Sequence, residues 1–223
     1  MMADLSGPNT TPTRYPDRVT HGHEEVYSLL DESLVSQVAY VHDDLPRILP
    51  LLHIRLEQML YFHMSSGSHM ALLLQKKSEL QVCVSCVMVD GLVFATSAIK
   101  HSINHRSLII HGSVTRVGDE CKPVILSALV DKMMPGRSAV CRSANARELA
   151  GTEVVGMEIR EASVKSRSGG PLLEEEDSRS IWIGEIPVAL TARPPRSFCD
   201  VPLPTEMMRL YYGQQSQGLS SRL

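Results

Sequence analysis

The chain has 223 residues, 43% of them hydrophobic, and a formal charge of -3 at neutral pH. Those totals fit one globular domain with a sizeable core and exclude wholesale disorder. The small net charge gives no electrostatic basis for binding nucleic acid or an anionic membrane, and no apolar run is long enough to span a bilayer.

Residues 1–18 are polar and Pro-rich, lack the apolar segment of a secretory signal, and read as a flexible leader with little structure of its own. "HEEVYSLLDES" (23–33) spaces Val26, Leu29 and Leu30 as one face of a helix. Strand-like runs follow over 34–42, 47–54 and 58–64, with Asp43 and Asp44 turning the first hairpin. In "SSGSHMALLLQKK", Met70, Leu73 and Leu74 repeat at helical spacing, which predicts a short helix capped by Ser66 or Ser68. Strands over 81–89 and 92–97 are expected to meet in a hairpin at Asp90-Gly91. Cys83 and Cys86 form a CxxC, but strand side chains alternate, so the pair faces opposite sides and reads as ordinary thiols. The five cysteines are scattered, which argues against a disulfide framework and for a reducing compartment.

A strand over 107–117 places Leu108, Ile110, Gly112 and Val114 on one face, and Lys100, His101, Ser102, Asn104, His105 and Arg106 crowd its entrance. A helix is expected over 122–134, with Pro123 in its first turn and a stripe of Leu126, Leu129, Val130 and Met133. Then come a helical piece at "NARELA", a strand at "TEVVGMEI", a charged Gly-containing loop over 162–179 and a last strand over 180–190. Residues 193–223 read as a Pro-rich extension, with one helical turn at 205–212, and a polar tail. The domain spans residues 19–192. Many short strands joined by hairpin signals, with few helices, make the class mainly β: a β-barrel with peripheral helices.

No Gly-rich nucleotide motif and no nucleophile with an evident base is present. The Ser- and Gly-rich junction at 65–70 is either an anion site or simply a capped helix start. His101 and His105 are four apart, but they lead into a strand with no third ligand at a telling distance, so no metal site is expected. Trp182, the single tryptophan, reads by itself as core packing.

Taken together, "PRILPLLH", "LYFHMSSGSHM", "DGLVFATSAIKHSINHRSLIIHGSV", "ASVKSRSGGP" and "IWIGEIP" resemble, in order, the flavin-nucleotide-binding family related to pyridoxamine 5′-phosphate oxidase. The resemblance covers Arg18 to Leu190. It implies a six-stranded antiparallel split barrel acting as a homodimer, with flavin mononucleotide (FMN) in a groove between the subunits. By motif, the strand carrying Arg47, Ile48, Leu49 and Pro50 runs along the isoalloxazine ring. His63, Ser65, Ser68 and His69 surround the phosphate. Arg106 and Ser107 reach the cofactor, and Lys165, Arg167 and Trp182 close the site from the partner subunit. One departure stands out: many relatives have Arg or Lys just inside the phosphate turn, where this chain has His69 followed by Met70.

The function implied is an FMN-dependent oxidoreductase acting on a small molecule, with NAD(P)H a candidate donor and His63, His101 and His105 the candidate acid–base groups. The alternatives are a flavin carrier without turnover, a deazaflavin protein, and a haem-binding or haem-degrading split barrel, which nine histidines allow. The final Ser221-Arg222-Leu223 is similar to the tripeptide read by the peroxisomal import receptor. It implies a peroxisomal or glycosomal location where such organelles exist, and a cytoplasmic one otherwise.

Overall fold

The computed structural model describes residues 4–174 and 180–204, and the structural statements below concern these residues. The expected helical turn at 205–212 and the terminal Ser-Arg-Leu lie outside them.

Nine strands form one antiparallel sheet. They are β1 (Val19–Thr20), β2 (Val35–His42), β3 (Leu45–Leu56), β4 (Met59–Ser65), β5 (Glu79–Phe94), β6 (Ser102–Arg116), β7 (Thr152–Glu158), β8 (Glu161–Arg167) and β9 (Gly184–Pro187). Their order is β1-β8-β6-β7-β4-β3-β2-β5-β9, and a further β5–β6 pairing closes a ring of β2, β3, β4, β7, β6 and β5. The sheet therefore has nine strands where six were expected. The surplus follows from strand length. β5 has 16 residues and β6 has 15. Both run past the ring, and their overhanging parts pair with β9 and β8.

Period-two alternation points Leu80, Val82, Val84 and Cys86 of β5, and Leu108, Ile110 and Val114 of β6, into the ring. There they pack with Leu60 and Phe62 of β4 and Met157 of β7. Helix α1 (His23–Glu32) adds Val26, Leu29 and Leu30, and α2 (His69–Leu74) adds Met70, Ala71, Leu73 and Leu74. Each large side chain so buried is worth about 1.5–3 kcal/mol. Helix α3 (Lys122–Met133) covers the outside of the ring, packing Ile125 and Leu129 on Val154. Its buried stripe is Lys122, Ile125 and Leu129, and the expected Met133 is exposed. Docking on β7, where the helix's own Lys122 donates to the Thr152 carbonyl at 3.0 Å, sets that phase. Helix α4 (Ala146–Ala150) carries a full capping box from Asn145 and Glu148.

Asp43 and Asp44 both adopt left-handed φ (50° and 58°), the mark of a tight two-residue hairpin turn, as expected. The Asp90-Gly91 hairpin does not form. β5 runs straight through it, with a register shift between Val89 and Gly91 that marks a bulge at Asp90. Continuous pairing with β6 outweighs the local turn preference there. The loop expected over 162–179 begins with β8, because buried Ala162 and Val164 alternate with polar neighbours. The last strand shrinks to Gly184–Pro187. Asn104, His105 and Arg106 lie inside β6 rather than before it. The leader has no strand before Val19, yet it is tied down: Leu5 is buried, its N–H donates to the His21 carbonyl at 2.9 Å, and its carbonyl accepts from Ala162 at 2.9 Å.

Candidate functional site

The expected site residues fall into two groups. The first lies where the β2–β3 hairpin meets α2. Register places Arg47 opposite Tyr40 and Leu45 opposite His42. The Tyr40 hydroxyl is 3.1 Å from His69 Nδ1, and the His42 and His69 rings are in contact, with centroids 4.6 Å apart. Ser68 is the N-cap of α2, its hydroxyl oxygen accepting from the Ala71 N–H at 3.3 Å. Ser65 Oγ accepts from the Gly67 N–H at 3.3 Å. Ser68 is therefore a true cap, and its own O–H remains able to donate. The N–H groups of His69 and Met70 precede the first bond of the helix, which runs from Leu72 to the Ser68 carbonyl. With six residues, α2 contributes only a weak dipole.

β3 pairs with β2 from Leu45 to Leu52, and β4 takes its other edge only from His53 onward. Among the described residues, nothing pairs with the second edge of the segment carrying Arg47, Ile48, Leu49 and Pro50. Pro46 and Pro50 suit such an edge because they lack an N–H. Ile48 is 64% exposed. On β4, His63 and Ser65 share the outward face, since Phe62 and Met64 point inward. His63 is half-buried, burial lowers its pKa, and its Nδ1 is enclosed without a hydrogen-bond partner. Behind the hairpin, a cleft of about 640 Å³ is lined by Ala39, Tyr40, Val41, Pro46, Cys83 and His111 among others.

The second group lies on the overhanging strands. Arg106 donates through Nε and Nη2 to Asp90 at 3.0 and 2.9 Å, and through Nη1 and Nη2 to Glu32. Those carboxylates raise its pKa further, and within one chain they occupy the cation expected to meet an anionic ligand. Ser107 Oγ donates to the Lys165 carbonyl at 3.3 Å, and the Lys165 ammonium stands 5.7 Å over the Tyr15 ring. Arg167 donates to Asn104 Oδ1 and to the carbonyls of Gly169 and Gly170. Buried Asn104 donates to Glu185 at 2.5 Å. Trp182 is 63% exposed rather than a core residue, and it packs on Phe94 with ring centroids 5.6 Å apart. His101 Nδ1 lies 3.0 Å from the Ser97 carbonyl, and His105 Nδ1 lies 3.4 Å from that of Ile103.

A single chain does not bring the two groups together. Cys83 of β5 pairs with Ala39, next to the first group, whereas Arg106 pairs with Met88. Five residues of strand separate those pairs, on the order of 15 Å. Sequence reasoning missed Tyr40 and His42 beside His69, and Glu32 and Asp90 beside Arg106; it placed Asn104 in the polar cluster without naming Arg167 and Glu185 as its partners. The alternation in 34–42 puts Tyr40 and His42 on one face, but nothing in it names His69 as their neighbour.

The profile of the family described as pyridoxamine 5′-phosphate oxidase matches residues 22–166. Among solved structures, the flavocytochrome Anf3 from Azotobacter vinelandii is 29% identical with a TM-score of 0.83, the match covering 93% of this chain and 98% of that one. The FAD and haem binding protein from Mycobacterium smegmatis is also 29% identical, with a TM-score of 0.81, and the match covers 87% of this chain and 97% of that one. No protein with a curated description matches.

Proposed function

This chain belongs to the pyridoxamine 5′-phosphate oxidase family, and on that premise we propose that it binds a flavin nucleotide, FMN, in a groove completed by a second copy of itself, and acts as a flavin-dependent oxidoreductase. The carrying observation is the corner where β3, the β4–α2 turn and His63 meet. Ser65 and Ser68 offer hydroxyl hydrogens there, the first turn of α2 offers N–H groups, and Arg47 offers a charge on the neighbouring hairpin. His63 Nδ1 is a buried polar atom without a partner, a state that costs about 1–3 kcal/mol and that a hydrogen-bonding ligand relieves. The open edge of β3 at Arg47, Ile48, Leu49 and Pro50 suits a flat polar ring. Arg106, Ser107, Lys165, Arg167 and Trp182 are too far along the strands to serve the same chain's corner, so in this reading they face the corner of the partner copy. The bound flavin supplies the hydride or electron chemistry. The protein's part is to hold the phosphate, orient the ring and exclude water.

Purified protein should be yellow, and NAD(P)H should bleach it if that is the donor. Yellow without bleaching by any reductant leaves a carrier. Parallel titrations with FMN and FAD identify the nucleotide. Ser68→Asp sets a carboxylate against the phosphate and should lower FMN affinity at least about tenfold. Unchanged affinity removes the phosphate from this corner.

A second reading, that the chain also binds haem, is favoured by the contacting imidazoles of His42 and His69. It is consistent with two structures at 29% identity, one a flavocytochrome and one an FAD and haem binding protein.

A further inference from the structure

We propose that His69 is the axial ligand of that haem, coordinating iron through Nε2; the inference rests on the haem reading above. A histidine ligand needs one free ring nitrogen and a partner that fixes the other. His69 meets both conditions. Its Nδ1 is held by the hydroxyl of Tyr40, which is itself anchored in the core, and its Nε2 has no protein partner among the described residues. His53 has both nitrogens engaged and is fully buried. His21, the exposed His101 and His105 also have Nδ1 at a carbonyl, that of Ala162, Ser97 and Ile103 respectively, and are the rivals that the experiment must eliminate.

The surroundings of His69 separate it from those rivals. Leu72, three residues on along α2, is exposed, and so is Leu45, opposite His42. With the His42 ring they offer apolar support for a macrocycle. His42 is a wall of this site and not the opposite ligand. Two imidazoles on either side of one metal stand roughly 6 Å apart between centroids, given metal–nitrogen bonds of about 2 Å. His42 and His69 stand 4.6 Å apart. The assignment also accounts for the sequence departure at this turn: an imidazole occupies the place where a phosphate-binding cation was expected. It takes His69 out of the phosphate contacts and leaves those to Ser65, Ser68 and Arg47.

The test is titration of the full-length protein with ferric haemin, followed in the Soret band. Wild type should bind and shift the band. His69→Ala should weaken binding by more than about 100-fold and return the band toward free haemin, and added imidazole should restore it. Tyr40→Phe, which loosens the ring without removing the ligand, should keep the band position and weaken binding about tenfold. His21→Ala, His101→Ala and His105→Ala should each match wild type. A His69→Ala band and affinity equal to wild type, or loss in one of the other three variants instead, overturns the assignment and leaves the haem reading standing. No Soret shift in wild type overturns both. Quenching of FMN fluorescence by the same samples reports separately on the flavin reading.

Discussion

His53 sits at 0% exposure in a chain of hydrogen bonds whose directions are fixed by chemistry. The Leu30 carbonyl can only accept, so His53 Nε2 carries the hydrogen across 2.9 Å. Nδ1 must then accept from the Ser36 hydroxyl at 2.7 Å, and Ser36 accepts in turn from the Cys86 thiol at 3.1 Å. The Lys132 ammonium donates to the same Leu30 carbonyl at 2.8 Å. Burial first, then the Lys132 charge, push the His53 pKa down to about 4. Unfolded, the imidazole takes its proton near pH 6.5. Between those values the unfolded chain binds more protons, so stability falls as pH drops from about 6.5 to about 4 and is unaffected by this group above that window. The gap is worth on the order of 3 kcal/mol. Urea unfolding at pH 7 and pH 5 should show the loss, and His53→Gln should flatten it; an equal slope in both proteins refutes the assignment. Arg106→Gln should cost about 1–2 kcal/mol in the same assay, because it leaves the Glu32 and Asp90 carboxylates facing each other at a half-exposed site.

Among the elements, the strands tolerate local conflict where pairing outweighs it. Asp-Gly at 90–91 carries a hairpin signal, yet β5 absorbs it as a bulge whose aspartate is turned to use by Arg106. β7 is less forgiving. A Cβ at Gly156 would come within 2.8 Å of the Tyr61 ring on β4, which has little room to retreat under α3. Gly156→Ala should therefore destabilise by about 1–3 kcal/mol in thermal melts. Gly170→Ala, with nothing within 4 Å of the added carbon, should be close to neutral. Equal melting of the two variants would mean that β4 and β7 can part without cost.

For the whole molecule, the outer side of β2, β3 and β5 carries exposed Val35, Val41, Ile48, Val87 and Val89, an apolar face that a monomer has no reason to show to water. The proposed two-copy groove predicts a particle of twice 24.7 kDa in light scattering. Ile48→Glu should yield monomers and lose flavin in the same step. Flavin retained by a true monomer would show that one chain suffices.

The sequence alone determined the antiparallel β class, the Asp43–Asp44 turn, a serine cap at 66 or 68 and the order of family motifs, because period-two patterning, turn chemistry and capping act between residues within a few positions of each other; the structure chose Ser68. Only the tertiary structure decided that Arg106 is occupied by Glu32, 74 residues away, that Asn104 answers to Glu185, 81 away, and that Tyr40 holds His69, 29 away. Strand pairing and helix docking choose those partners, and no local pattern encodes which distant element will arrive beside a given charge. The same limit hid the strands added to the overhangs: a short polar stretch such as 161–167 becomes a strand only because β6 is long enough to offer it an edge.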